Sequence, residues 1–263
     1  MARPRSRAAA GPALRPSAPA RAALVTGAGS GIGCAIAGRL VADGWHVLSV
    51  DLRLTGDMPG EPFEADLIDR AANRRAVEAA VERFGRLDAV VACAGLQHVS
   101  PVADFPEDVW ERLLALMLTS PFLLAKYAWP ALTANPGGRF VALGSAHSLA
   151  ASPYKAGYVA AKHGLTGLVK TLALEGAGAQ LSATTVCPGF VRTPLVEAQI
   201  AAQAKAHGLP PERVLEDVIL APHAVKRLIE PDEVADVVAF LLGPGGATFT
   251  GTAVSMDLGW TAR

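Results

Sequence analysis

Tyr158 and Lys162 stand four residues apart in the run Tyr158-Val159-Ala160-Ala161-Lys162. On a helix that spacing puts both side chains on one face, one turn apart. An ammonium beside a phenol stabilises the phenolate, so the pair predicts a tyrosine pKa drawn below its reference of about 10. A phenol tuned in this way exchanges a proton with an alcohol or a carbonyl near neutral pH. Ser145 lies upstream with a hydroxyl able to hold the same oxygen. A lone Tyr-x-x-x-Lys pair arises by chance on many helix surfaces, so its weight comes from what else stands at fixed distances from it.

Such groups need rigid elements to position them. From Ala22 onward, short apolar runs alternate with longer stretches of helical periodicity. Strands are expected over 23–26, 45–51, 87–92, 138–144, 182–187 and 253–257, with a further short one just before Asp66. Helices are expected over 33–43, 69–84, 108–129 (where Pro121 would introduce a kink), 157–176, 196–207 and 232–242. Apolar strands alternating with helices predict an α/β fold with a parallel sheet covered on both faces. Right-handed crossovers close this into a single-domain, Rossmann-type, doubly wound sheet. On this reading Tyr158 and Lys162 ride on the helix that follows the strand ending beside Ser145.

The first strand runs into Thr26-Gly27-Ala28-Gly29-Ser30-Gly31-Ile32-Gly33 and then a helix. Glycines let the backbone turn tightly against a pyrophosphate, whose charge the helix N-terminus stabilises. Gly27, Ser30, Gly31, Ile32 and Gly33 are therefore expected to hold a dinucleotide. Asp51 ends the second strand, where a carboxylate accepts hydrogen bonds from ribose hydroxyls and repels a 2′-phosphate. That favours NAD over NADP, with Arg53 two residues on as the opposing signal.

Taken together, the wide glycine spacing, Ser145 and the Tyr158/Lys162 pair resemble the short-chain dehydrogenase/reductase family, from Ala22 to the C-terminus. The resemblance implies a nicotinamide-dependent oxidoreductase with Ser145, Tyr158 and Lys162 catalytic. It also implies that Asp66 and Leu67 face the adenine, and that Ala94, Gly95, Tyr158 and Lys162 touch the cofactor. Pro188, Gly189, Val191 and Thr193 would surround the nicotinamide. Family members commonly assemble as homotetramers through the two long helices, here 108–129 and 157–176, where Ala160, Ala161, Gly164 and Gly167 would permit close approach.

Further stretches resemble the branch of that family acting on D-3-hydroxybutyrate: Ala94-Gly95-Leu96-Gln97-His98-Val99, Ser145-Ala146-His147-Ser148, the run from Cys187 to Ile200, and the terminal Gly259-Trp260. By this resemblance Gln97, His147, Lys155 and Gln199 bind a substrate carboxylate beside Ser145 and Tyr158, and Trp260 packs on its methyl end. A small hydroxy acid needs a cation and several donors, which these residues supply. A helical lid, about 194–222, would close over it, with Gly208-Leu209-Pro210-Pro211 a break between two lid helices. The open alternatives are a short-chain dehydrogenase for another secondary alcohol or cyclic ketone, and an NAD-binding sensor of low turnover.

The sequence also departs from the pattern. Ala92-Cys93-Ala94-Gly95 stands where the family usually has Asn-Asn-Ala-Gly. Met117 takes the place of an asparagine that helps link the lysine to solvent. Thr184 and Leu258 replace a common asparagine and a common glycine, and Phe190 stands where hydroxybutyrate enzymes tend to carry tryptophan.

Bulk properties set the remaining bounds. The chain has 263 residues, with Lys+Arg and Asp+Glu balanced at 24 each, so no net field recruits nucleic acid or an anionic membrane. No apolar run reaches the roughly 20 residues of a membrane-spanning helix. Cys34, Cys93 and Cys187 have no metal-ligand spacing, and unpaired thiols suit a reducing cytoplasm. Residues 1–20 combine arginine, proline and alanine without an acidic residue and are read as a disordered leader; residues 21–263 form the domain.

Overall fold

The structure is a computed structural model and describes residues 20–207 and 210–262. The expected leader, apart from Ala20, and the expected break at Gly208-Leu209 lie outside the described residues. Seven strands form one sheet: β1 (Ala22–Thr26), β2 (His46–Asp51), β3 (Glu61–Glu64), β4 (Ala89–Ala92), β5 (Arg139–Leu143), β6 (Ser182–Pro188) and β7 (Ala253–Met256). Their spatial order is β3-β2-β1-β4-β5-β6-β7 and every pair is parallel. Strand order reverses between β1 and β4, so a crevice opens at their carboxyl ends.

The period of two along each strand feeds two separate cores. Leu24, Val90 and Phe140 face one layer, which contains α2 (Arg70–Phe84), α4 (Ser120–Thr133) and α5 (Ala156–Gly176). Their neighbours Val25, Val91 and Val141 face the other, formed by α1 (Gly31–Ala42) and α8 (Pro231–Leu242). This is why the central strands read as unbroken apolar runs: both faces are dry. Each fully buried side chain such as Leu24 or Phe140 contributes about 2 kcal/mol.

The expected long helix exists but is interrupted differently. It runs from Glu107 to Thr133 as α3 (Glu107–Leu114), a wide π turn over Ala115–Thr119, and α4. Within that turn Ser120 N–H donates to Ala115 O, five residues back. The break therefore precedes Pro121 rather than being a simple proline kink. By length and composition this helix could cross a bilayer, although no such run was expected. It packs instead against α2 and α5 in the folded domain. The stretch expected as a lid carries α6 (Pro194–His207), α7 (Pro211–Val214) and a π turn over Leu215–Ile219, with a small apolar cluster around Val214, and Leu195, Val196 and Gln199 of α6 line the crevice.

Candidate active site

Two cavities meet at the carboxyl ends of the strands. The larger, about 400 Å³, lies over the glycine loop and the ends of β2 and β4. The smaller, about 60 Å³, lies beneath α6. Tyr158 lines both, so its phenol stands between anything bound in one and anything bound in the other.

Gly27, Ser30, Gly31, Ile32 and Gly33 all line the larger cleft. Glycine is required there by space as well as by backbone: Gly31 has φ +52, and a Cβ on Gly33 would sit 2.1 Å from Gly27 O. Ser30 caps α1 with extended backbone and no side-chain bond, and the first turn carries no acid. Its N–H groups and helix dipole thus fit a pyrophosphate. Thr26 Oγ1 accepts the N–H groups of Cys93 and Ala94, both at 3.0 Å, which ties the β4 loop to the glycine loop and sets Ala94 and Gly95 on the cleft wall.

Asp51 also lines the cleft. It accepts Gly29 N–H at 2.9 Å and Arg53 N–H at 3.3 Å, leaving lone pairs for ribose hydroxyls. Asp66 accepts Ile68 N–H at 3.0 Å as a turn cap, with Leu67 beside it on the wall. Of the expected residues after β6, Thr193 reaches this cleft. Gly189 walls the smaller cavity instead. Pro188 ends β6 against Met256 and Val191 is buried in a bridge to Ile229, and neither is among the residues lining these two cavities. Arg112 and Leu116 on the cleft wall escaped sequence reasoning because they come from α3 and the π turn, which no local pattern announces.

Lys162 and Tyr158 do share a face of α5 and line the larger cleft together. The expected lowering of the phenol pKa is not what the site produces. Burial pushes Tyr158 above its ordinary value, and the hydrogen bond with Ser145 only partly offsets it. Lys162 Nζ sits 5.5 Å from the Tyr158 ring centroid and donates to Leu143 O at 2.6 Å. Burial lowers its own pKa to about 8. Desolvation is the largest influence on both groups.

All seven residues expected around the substrate line the smaller cavity: Gln97, Ser145, His147, Lys155, Tyr158, Gln199 and Trp260. Gln97 Oε1 accepts His98 N–H, which leaves its amide NH₂ for a ligand. Lys155 is only 8% exposed, its ammonium 5.2 Å from the Phe190 ring centroid. Trp260 lies on His147 with ring centroids 5.2 Å apart. Phe190, Leu195 and Val196 complete the wall without having been expected there. Met117, 1% exposed, packs with Leu113 and Ala161 behind Tyr158. Leu258 adopts φ +54, the conformation that makes glycine common at that position.

Burial, reinforced by Lys155 and His163, pushes the His147 pKa down to about 4. Between that value and 6.5 the unfolded chain binds a proton that the native ring refuses, so stability falls as pH drops through this window. The loss is on the order of 3 kcal/mol once pH is below 4. Urea unfolding of the wild type and His147→Asn should show it: acidification weakens the wild type more than the variant.

Comparison with known proteins agrees with this architecture. The family model described as enoyl-(acyl carrier protein) reductase matches residues 27–261. D-beta-hydroxybutyrate dehydrogenase of Rhizobium meliloti (strain 1021) is 38% identical over 256 residues, covering 92% of this chain and 99% of that protein. The dehydrogenase of the same name from Cupriavidus necator is 35% identical over 257 residues, covering 92% and 98%. Ligand-free aldohexose dehydrogenase of Thermoplasma acidophilum superposes with a TM-score of 0.87 at 26% identity, covering 93% and 95%. The chain belongs to the short-chain dehydrogenase/reductase family and is an oxidoreductase. Rossmann-fold dehydrogenases of this family typically bind NAD(P), and the larger cleft has the shape and donors for it.

Proposed function

We propose that this oxidoreductase moves hydride between NAD(H) and a small secondary alcohol or ketone bearing a carboxylate, with D-3-hydroxybutyrate and acetoacetate as the pair. The observation that carries this reading is Lys155. The residue is 8% exposed and lines the small cavity, and among the described residues no protein acceptor takes a hydrogen bond from its ammonium. A cation in a largely desolvated cavity, held only over the Phe190 ring and with no hydrogen-bond acceptor, suits an anion. Gln97 and Gln199 add amide donors, and a cavity of about 60 Å³ suits a substrate of a few carbons. Two similar dehydrogenases are named for that substrate. When bound, NAD supplies the hydride acceptor; Ser145 holds the reacting oxygen and Tyr158 takes its proton. Asp51 favours NAD over NADP. D-3-hydroxybutyrate with NAD should give NADH absorbance, less with NADP; no signal above a Tyr158→Phe control sinks the reading.

The assembly is proposed to be a homotetramer joined through the long helix Glu107–Thr133 and α5. Ala161 is buried in its own chain and a Cβ on Gly164 would meet Leu118 at 3.0 Å, so these two face inward. Gly167 is open, and Leu174 is 80% exposed on the same helix. Light scattering should give four chains for the wild type and fewer for Leu174→Asp. Three free cysteines, Cys187 fully buried, support a cytoplasmic setting.

A further inference from the structure

The phenol of Tyr158 is enclosed between two cavities, so a proton arriving there needs a way out. Behind it Met117, Leu113 and Ala161 form an apolar wall, and a thioether cannot donate. Lys162 commits one of its three N–H groups to Leu143 O. A continuous line of polar groups leaves in the opposite direction. Tyr158 and Ser145 wall the same small cavity, and the Ser145 hydroxyl is close enough to favour the phenolate. Ser145 Oγ lies 3.4 Å from His147 Nδ1, and His147 Nε2 lies 3.0 Å from Ser152 Oγ. Ser152 is partly exposed between exposed Ala151 and Pro153.

We propose that Ser145, His147 and Ser152 form a proton relay that connects Tyr158 to solvent. This rests on the reading of Tyr158 as the proton-exchanging group. Ser145 has the capacity for it: its oxygen accepts His147 N–H at 3.1 Å, a second lone pair is available to the phenol, and its own hydrogen can be given to Nδ1, 3.4 Å away, when that nitrogen is unprotonated. His147 has the state for it. Burial, with Lys155 and His163 nearby, keeps the ring neutral, so one nitrogen accepts while the other donates. In alcohol oxidation the Tyr158 proton passes to Ser145 Oγ as the Ser145 hydrogen moves to Nδ1. The Nε2 hydrogen moves to Ser152 Oγ as the Ser152 hydrogen leaves to water. One O–H bond breaks at the phenol, one forms at water, and no redox change occurs along the line. The phenolate so formed takes the substrate's hydroxyl proton. Both ring nitrogens of His147 then face serine hydroxyls, which assigns the carboxylate to Lys155 and the two glutamines.

Ser152 does not line the substrate cavity, so Ser152→Ala cuts the relay at its outer end. The expected result is a roughly tenfold lower kcat, KM unchanged within about twofold, and a larger solvent isotope effect. Added imidazole buffer and Ser152→Thr should each restore kcat. An unchanged kcat, or a loss that neither buffer nor threonine repairs, overturns the relay. The ratio is read on any secondary alcohol the chain oxidises, so failure with D-3-hydroxybutyrate alone counts against the substrate reading instead. Nitrogen-15 NMR of His147 needs no turnover: a neutral ring at about pH 6 whose signals shift in Ser152→Ala is expected. A charged ring, or signals that do not move, overturns the relay.

Discussion

Replacing Tyr158 with Phe should reduce kcat by about a thousandfold while leaving NAD binding within a fewfold of the wild type. Tyr158 is the one titratable side chain among the described residues that lines both cavities, and Ser145 walls the smaller one beside it. Without the phenol, the substrate hydroxyl must lose its proton to water, which the enclosed site excludes. Cofactor affinity should survive because the glycine loop, the α1 N-terminus and Asp51 supply the larger cleft with its donors and acceptors. The fold should survive as well. The ring packs against Leu113, Met117 and Ala161, and Phe preserves those contacts. Steady-state rates beside calorimetry with NAD separate the two effects. A variant that keeps a tenth of the wild-type kcat removes Tyr158 from the chemistry; one that loses NAD binding in proportion makes it a structural residue instead. The raised phenol pKa adds a direction: alcohol oxidation needs the phenolate and should accelerate as pH rises, while ketone reduction should slow.

Much of this was legible in the residues because it depends on short-range periodicity. Period-two apolar runs set the strands, and the glycines of the first loop are compelled by contacts such as Gly33 against Gly27 O. Tyr158 and Lys162 share a helix face by spacing alone. What the residues did not disclose arises from tertiary burial. The phenol pKa moves opposite to the two-body expectation, because desolvation acts on both partners and neither supplies it locally. Arg112 on α3 and Leu116 in the π turn over Ala115–Thr119 line the cofactor cleft, and a pattern of 3.6 residues per turn gives no sign of that turn. Pro188 and Val191, expected around the nicotinamide, line neither of the two cavities: Pro188 ends β6 against Met256, and Val191 makes an isolated bridge to Ile229. Ser152 had no motif at all; only the folded loop brings it to His147.

Lys155→Ala should raise KM for a carboxylate substrate by roughly 10- to 100-fold, the worth of one or two hydrogen bonds to a charged group. The lysine follows Tyr154, a non-glycine residue held at φ 68, whose carbonyl accepts Ser100 N–H at 2.9 Å. Strain of that kind persists where surrounding structure fixes a functional side chain, here at the start of α5 beside Phe190. Its ammonium lies in the smaller cavity and outside the larger one, so NAD affinity should not move. A neutral secondary alcohol of similar size should lose nothing, which distinguishes a lost charge from a collapsed pocket. Stability should hold or rise slightly, since removing a buried cation also removes its desolvation penalty. Burial lowers the Lys155 pKa below 10.5, so alkaline pH discharges it early and KM for the wild type should climb there, while the Ala variant stays flat. Equal KM changes for charged and neutral substrates would move Lys155 out of carboxylate recognition. The small cavity would then be left with two amides and no cation, a site suited to an uncharged alcohol.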